Sequence, residues 1–472
     1  MNCDTLVVGA GGGGYPAAFH LADHGHQVVM VDPRGNLGGH CLYEGCIPSK
    51  TVREASRYAA AFALGGRAGV PLAAPAVGQA LWPGVRQFKD DVQTKRYAQH
   101  SQEIAAAERV TLFTGTAELL DAHHARVVTA AGDYRVHFRF AILATGSSAH
   151  MLDNVSDAWT SHDLFAWQHT VDQLPNRLVI IGGGYIGVEL AMMLQPFGVK
   201  VTVLEMGPEV LGQMDGEIQT AIGAALREVA DVVVNARVQQ VTGGVGDRRV
   251  IFATDDGVHE VSADQVLVAT GRVPNTAHLG LDAAGVAYSR HGITVDAGLT
   301  TSVRHIFACG DVTGQSMLFH AAVRMSQVAA ANILAYPDVV DTFDAHEMPA
   351  TVFSSPEAHT VGLTLTQAEA AGYRAWEVRR PMGVEARAQI AEERRGFMKM
   401  VVDREGHTVL GVHAVGVDAA DLAAVSHILV RQRLTLEQVA HMTFPHPTQF
   451  EMFDRLAREA RLLKSTVSDR DD

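Results

Sequence analysis

The sequence predicts an α/β fold with two Rossmann-like dinucleotide-binding domains. Three observations carry this. Two Gly-x-Gly-x-x-Gly loops each lie between a short apolar run and an amphipathic stretch. A second apolar run follows each and ends in an acidic residue. Further apolar runs end in glycine, at Ala144-Thr145-Gly146, Ala269-Thr270-Gly271 and Cys309-Gly310-Asp311. A chain of 472 residues is too long for one ordinary core and calls for two to four domains.

In the first nucleotide segment, Thr5–Val8 reads as a buried parallel strand. Gly9, Gly11 and Gly14 form the loop, an alanine-rich helix follows, and Gln27–Val31 is the next strand, ending at Asp32. The glycines allow a tight turn and close approach of backbone to a pyrophosphate, and the helix start offers N–H donors. Asp32 can accept hydrogen bonds from a ribose diol. In the second segment the strands are Val179–Ile181 and Val199–Leu204, the loop is Gly182, Gly184 and Gly187, and Glu205 is the acidic end. Two such loops imply two dinucleotides, or one duplicated domain that holds one. No Arg or Lys follows Glu205 in "MGPEV", which favours NAD over NADP. The bland reading of Glu205 is a solvated strand-end carboxylate. Val70–Gly84 reads as an irregular Pro/Ala-rich excursion before a helix.

Hydrophobic residues make up 47% and charged residues 19%, as in a soluble globular protein. The net charge of −14 argues against nucleic acid or an anionic membrane as partner. There is no run of 18 apolar residues, and the N-terminus reads as a first strand rather than a signal peptide. Four cysteines are too few for a secreted disulfide framework, so a reducing cytoplasm is expected.

Two of the four, Cys41 and Cys46, lie in "GGHCLYEGCIPSK". Four residues separate them, with Gly45 read as a source of backbone freedom, a spacing that permits a local disulfide. The pair opens a helical stretch in which Pro48 suits the first turn, and the helix start with Lys50 favours thiolate. Zinc is a rival, with His40 adjacent, but two clustered cysteines fall short of its usual four ligands. Inert packing thiols are the other rival. Of 23 histidines, His446 stands apart, because Pro445 and Pro447 fix its backbone and Glu451 lies five residues on. A carboxylate near an imidazole orients it and raises its basicity.

These motifs, in this order and over essentially the whole chain, resemble the flavin-dependent pyridine nucleotide–disulfide oxidoreductases. They are Gly9–Gly14, Cys41/Cys46 with Ile47-Pro48-Ser49-Lys50, Ala144-Thr145-Gly146, Gly182–Gly187, Gly310-Asp311 and His446–Glu451. The resemblance implies FAD on the first loop, contacted by Gly9, Gly11, Gly14, Asp32, Lys50, Thr116, Ala117, Gly146, Asp311 and the stretch Met317, Leu318, Phe319, His320. It implies the nicotinamide cofactor on Gly182, Gly184, Gly187, Glu205, Val238 and Gly271, with Tyr185 covering its pocket. It also implies a C-terminal α+β dimerisation domain and a homodimer. The expected division is FAD-binding 1–150 and 275–345, NAD-binding 151–274 and interface 346–472.

By the same resemblance Cys46 lies against the flavin and Cys41 meets substrate. Lys50 pairs with Glu189 near the flavin, and His446 with Glu451 serves the partner's disulfide as acid–base group. The bland readings of Glu189 and Tyr185 are an ordinary helix carboxylate and a packing aromatic. The expected activity is oxidation of protein-bound dihydrolipoyl groups with reduction of NAD. Alternatives are an NAD(P)H-dependent reductase of another disulfide or of mercuric ion, or a non-catalytic nucleotide-binding subunit. The tail "REARLLKSTVSDRDD" lacks the cysteine pair that mercuric reductases usually add. No metal is expected. Three departures from the family pattern stand out: Asp32 in place of the commoner glutamate, Phe444 where a second histidine is frequent, and Tyr43 between the cysteines. Tyr43 resembles an atypical branch and points to a lipoyl carrier outside the usual 2-oxoacid complexes.

Overall fold

The computed structural model describes residues 1–65 and 78–468, and the chain divides into two compact units. The first takes Met1–Pro175, Pro196–Gly198 and Leu267–Ala345; the second takes Asn176–Gln195, Val199–Val266 and His346–Asp472.

The first unit is built on a parallel sheet. Asn2–Val8 lies centrally, with Val28–Asp32 on one side and the end of Gly132–Leu143 on the other; Val110–Leu119 and Ile306–Ala308 complete it. Two strands serve twice. Val110–Leu119 pairs in parallel through Thr114, then turns antiparallel to His124–Thr129 from Gly115 on. Gly132–Leu143 starts in that same antiparallel ribbon and ends in the parallel sheet. The apolar side chains of both parts, among them Leu6, Val29, Val127, Phe138 and Leu143, share one core. Gly9 shows what the first loop requires: its φ is +107°, and a Cβ there would lie 2.2 Å from the Ala144 carbonyl oxygen. A Cβ on Gly14 would lie 2.0 Å from the Gly9 oxygen, so only glycine lets the helix Tyr15–Asp23 start this close to its strand.

In the second unit Arg177–Ile181, Lys200–Leu204 and Asp231–Val233 are parallel neighbours. An antiparallel ribbon, Arg237–Thr242, Arg248–Thr254 and Gly257–Ala263, follows them. The C-terminal part is a five-stranded antiparallel sheet in the order Ala350–Val352, Glu357–Gly362, Val409–Gly416, Phe397–Asp403, Ala375–Pro381. Helix Ala419–Arg431 packs on it, and its core runs from Val361 through Met398 and Val412 to Phe453 and Leu456. Two histidines on neighbouring strands are fully buried there. His359 bonds Ala419 O and Ser426 Oγ, and His413 bonds Thr360 Oγ1 and Leu363 O. Burial holds His359 down to about 3 and His413 to about 4, against 6.5. Both stay neutral in the folded state while the unfolded chain takes up protons below pH 6.5. Stability of this unit is therefore expected to fall as pH drops from 6.5 towards 4, checked by urea midpoints followed by Trp376 fluorescence.

The expected excursion over Val70–Gly84 is corrected at its end. Residues 70–77 lie outside the described ones, but Trp82-Pro83-Gly84 already open the helix Trp82–Ala106, with proline where its missing N–H costs nothing. No helix among the described residues is long and apolar enough to cross a membrane.

Candidate redox site

Cys41 sits in a one-turn helix, Gly39–Tyr43, and Cys46 is the first residue of the helix Cys46–Gly65. Gly38, at φ +106°, turns the chain into the first of these. Its far end is fixed from below. Gln93 Nε2 donates to the carbonyls of Leu42 and Tyr43, both at 2.9 Å. Gln93 is in turn held by the fully buried Lys89, whose ammonium also reaches Asp90 and the Ala166 carbonyl. The loop between the cysteines is thus mounted on the long helix Trp82–Ala106.

The two cysteines face each other as thiols. Cys41 and Cys46 share a hydrogen bond, and this together with burial raises Cys41 above an ordinary thiol. Cys46 lies at the start of a helix, whose positive end favours a thiolate. Cys46 is exposed and Cys41 half-buried, so neither is an inert core thiol; Cys3 and Cys309 are the buried ones. Gly45 has an ordinary backbone, contrary to its reading as a source of freedom. What excludes a side chain is space, since a Cβ there would stand 2.9 Å from the His40 ring and from its carbonyl oxygen.

Around the loop lies a charged cluster that the sequence did not reveal. Glu44 Oε1 accepts from Arg34 Nη2 at 2.8 Å and from His40 Nδ1 at 3.0 Å, and Oε2 is bonded by His162 Nδ1. Burial alone would raise Glu44, but the His40 hydrogen bond and the charges of His40, Arg34 and His162 bring it down to about 2, from 4.5. What these bonds add to stability is complete above pH 4.5 and lost as pH falls through 2, so a Glu44→Gln variant and the parent are expected to converge in acid melts. Arg272 reaches the same cluster, with Nη1 3.2 Å from His40 Nε2. Both ring nitrogens of His40 are thereby engaged. Tyr43 points inward: it is 5% exposed, packs on Tyr97 and Trp167, and lies under the Arg34 guanidinium at 4.4 Å. Any effect of Tyr43 on a carrier runs through the shape of the loop, not through contact.

The remaining expected residues of this unit fall as follows. Asp32 Oδ2 accepts from Ala10 N at 2.9 Å and Oδ1 from Arg34 N at 2.8 Å, so it braces the glycine loop and keeps lone pairs for a ribose. Lys50 is one turn along the Cys46 helix. Thr116 and Ala117 are ladder residues opposite Val128 and Val127. Gly146 has φ +72°, and Ser147 beside it donates to Asp311 Oδ2 at 2.5 Å. Met317 and Leu318 precede the helix Phe319–Leu334, in which His320 is second, and the Phe319 ring packs on Gly12. The helix Tyr15–Asp23 has no side-chain cap, which leaves its start to an anion. The loop, the uncapped helix and the exposed Cys46 thiol fit FAD. Gly271, expected beside the nicotinamide cofactor, belongs to this unit, with φ +117°.

In the second unit a Cβ on Gly187 would lie 1.9 Å from the Gly182 oxygen, repeating the geometry of the first loop, and Gly184 caps the helix Tyr185–Leu194 without a side-chain bond. Glu205 accepts from Gly183 N and Gly207 N, both at 2.6 Å, which fixes the carboxylate over the loop and fits the ribose of NAD. Val238 lies just past Ala236, whose N–H bonds the Glu205 carbonyl. Glu189 is buried and accepts from Phe353 N at 3.0 Å; Tyr185 is half-buried, and burial, then Glu189, raise its phenol. His446 Nδ1 lies 3.1 and 3.0 Å from the Glu451 oxygens, with its ring largely exposed. Arg455 and Thr448 N also bond Glu451. Burial opposes ionisation of Glu451, but the His446 bond, the Thr448 N–H and Arg455 prevail and lower it. Phe444 stacks on Phe450, lies tilted against Phe453 and packs on the core beside this dyad.

The model of the pyridine nucleotide-disulphide oxidoreductase family matches residues 3–326, and that of the family's dimerisation domain matches 348–457. The dihydrolipoyl dehydrogenase of Geobacillus stearothermophilus is 34% identical over 454 residues, 96% of this chain and 95% of that protein. Dihydrolipoyl dehydrogenase 2 of Haloarcula marismortui is 33% identical over 97% of this chain and 96% of its own. Among solved structures, LpdA from Mycobacterium tuberculosis superposes with a TM-score of 0.87 at 26% identity, covering 97% of this chain and 99% of that one. The HOCl-induced flavoprotein disulfide reductase RclA from Escherichia coli, in a Cu(II) complex, gives 0.83 at 26% identity with the same coverage. With both glycine loops, the cysteine pair and the C-terminal domain in place, the chain belongs to the pyridine nucleotide–disulfide oxidoreductase family, a flavoprotein whose cofactors are FAD and NAD.

Proposed function

We propose that the protein oxidises protein-bound dihydrolipoyl groups to lipoyl groups and reduces NAD, working as a homodimer. The observation that carries the reading is the hydrogen-bonded pair Cys41–Cys46, with Cys46 at a helix start. Relatives named dihydrolipoyl dehydrogenase, matching over nearly the whole chain, support the substrate.

In this reading one thiol of the dihydrolipoyl group loses its proton to His446 of the partner subunit and attacks Cys41 in the Cys41–Cys46 disulfide. The Cys41–Cys46 bond breaks, Cys46 leaves as thiolate, and a mixed disulfide with Cys41 forms. The second dihydrolipoyl thiol then attacks the first lipoyl sulfur; the bond to Cys41 breaks, the lipoyl disulfide closes, and the proton of the second thiol passes to Cys41. Two electrons now reside on the cysteine pair, with Cys46 as thiolate. FAD, when bound, supplies the path for that electron pair to NAD. Lys50 would balance charge on the flavin, and Tyr185 would screen the nicotinamide pocket. Glu205 anchors the NAD ribose, so Glu205→Ala is expected to raise the KM for NAD by roughly 10-fold or more, since hydrogen bonds to a charged group are worth about 1.5–3 kcal/mol. The domain division follows the same reading: FAD on 1–150 and 275–345, NAD on 151–274, dimer contacts from 346–472.

The test is anaerobic titration of the FAD-loaded protein with dihydrolipoamide, followed by NAD. A long-wavelength band followed by NADH supports the reading; no spectral change with dihydrolipoamide overturns the substrate. NADH-driven reduction of another disulfide, without dihydrolipoamide oxidation, would move the protein towards disulfide reductases such as RclA, and NADH-driven reduction of mercuric ion would favour the mercuric alternative. Cys41→Ser is expected to abolish dihydrolipoamide turnover; a variant that still turned over would refute the mechanism, and flavin and NAD binding without any dithiol chemistry would leave a non-catalytic subunit.

A further inference from the structure

We propose that Arg455, clamped by the buried Glu385, is a positioning residue for the acid–base dyad: it fixes the Glu451 carboxylate, and through it the His446 ring, in a single orientation. The inference rests on the reading of His446 as the acid–base group, and it deepens that reading.

Glu451 is held at both oxygens. Oε1 accepts from Arg455 Nη2 at 2.7 Å and Oε2 from Thr448 N at 3.2 Å, while His446 Nδ1 faces the two together. The Thr448 bond is local. The Arg455 bond is an i,i+4 pair on a helix, which by itself holds little. The other arm of the guanidinium makes it firm. Arg455 Nη1 donates to Glu385 Oε2, 70 positions away. Glu385 is 1% exposed, and its second oxygen accepts from Arg380 Nε at 2.6 Å. Arg380 Nη1 reaches on to Glu459. A carboxylate this deep is costly unless both oxygens are paired, so Glu385 does not readily release Arg455.

Glu451, Arg455 and Glu459 recur at four-residue spacing, which puts them on one face of the turn Gln449–Glu451 and the helix Met452–Ser468. Arg380, on the strand Ala375–Pro381, and Glu385, just beyond it, interleave with them. The result is a ladder of alternating charge, Glu459–Arg380–Glu385–Arg455–Glu451, that ends on His446. A planar guanidinium fork with each arm on a different carboxylate passes on position as well as charge. The two contributions differ in sign between variants. Loss of the Arg455 cation would by charge alone favour proton uptake by His446, and loss of the Glu385 charge would disfavour it. Loss of position slows proton transfer in both cases.

The test is stopped-flow reduction of the FAD-loaded protein by dihydrolipoamide, with reduction by NADH as the reference. The dithiol half-reaction is expected to slow roughly 10-fold in Arg455→Met, within the 10²-fold that a misplacement of about 1 Å can cost. In Glu385→Gln, which turns an amide N–H₂ towards one of the two guanidiniums, it is expected to slow roughly 2- to 10-fold, the worth of one hydrogen bond. The NADH half-reaction is expected to keep its rate in both. Arg455→Met added to His446→Gln is expected to cost nothing further, since its effect runs through the ring. If Arg455→Met fails to fold, Glu385→Gln, which keeps the shape of the side chain, carries the test. An unchanged or faster dithiol step in either variant, equal slowing of the NADH step, or a full further loss in the His446→Gln background overturns the inference and leaves the proposed function standing. A parent flavin that dihydrolipoamide does not reduce overturns the proposed function, and the inference with it.

Discussion

His446→Gln is expected to lower turnover with dihydrolipoamide by roughly 10²- to 10⁴-fold, the usual worth of a positioned acid–base group. Glutamine keeps the size and one hydrogen bond to Glu451 but cannot take a proton. In the proposed mechanism the dyad serves that task. Thr448 N, Arg455 and His446 converge on Glu451, which stays ionised and orients the ring through Nδ1. Nε2 is left for substrate, on a ring that is 66% exposed. Stopped-flow measurement of both half-reactions checks the assignment. The dithiol half-reaction should slow by this factor while reduction of the flavin by NADH keeps its rate. Equal slowing of both would show His446 to be structural.

Lys399→Met is expected to destabilise the second unit by about 3–5 kcal/mol, the cost of leaving a buried partner charge alone. Lys399 lies on the strand Phe397–Asp403, flanked on both sides in its sheet, and is 4% exposed. Its ammonium is 2.8 Å from Asp215, 3.0 Å from Glu217 and 3.4 Å from Glu377. Burial works against the cation, and the three carboxylates outweigh it, so the lysine stays charged. Asp215 also caps the helix Gly216–Arg227 by accepting from Glu217 N at 3.1 Å. One lysine thus ties the helix Gly216–Arg227 to the C-terminal sheet. Urea unfolding followed by Trp376, which sits on the neighbouring strand, measures the loss. Lys399→Met with Asp215→Asn should recover part of it, because the orphaned charge is gone. A change below 1 kcal/mol in the single variant would mean that water replaces the ammonium.

Much of this was legible in the chain. The two glycine loops could be read because each needs glycine for a local steric reason, a carbonyl 2.0 or 1.9 Å from any Cβ. The acidic strand ends were legible because Asp32 and Glu205 both brace their own loops, a short-range task. Cys41 with Cys46, and His446 with Glu451, are near neighbours in sequence, and each pair meets in the fold. Gly45 was legible as necessary but not for the right reason, since the His40 ring that crowds it is placed by Glu44 and Arg272.

The sequence by itself therefore determined the fold class, both dinucleotide loops and the pairing of Cys41 with Cys46, because each depends on residues a few positions apart obeying backbone geometry. The tertiary structure alone decided what surrounds that pair. Arg272 stands 232 positions from His40, and Glu44 meets His162 across 118. Tyr43, beside them in the chain, turns away into an aromatic cluster. No local pattern encodes such meetings. They arise when strand pairing brings two Ala-Thr-Gly ends together and buries a guanidinium that must then find its acceptors.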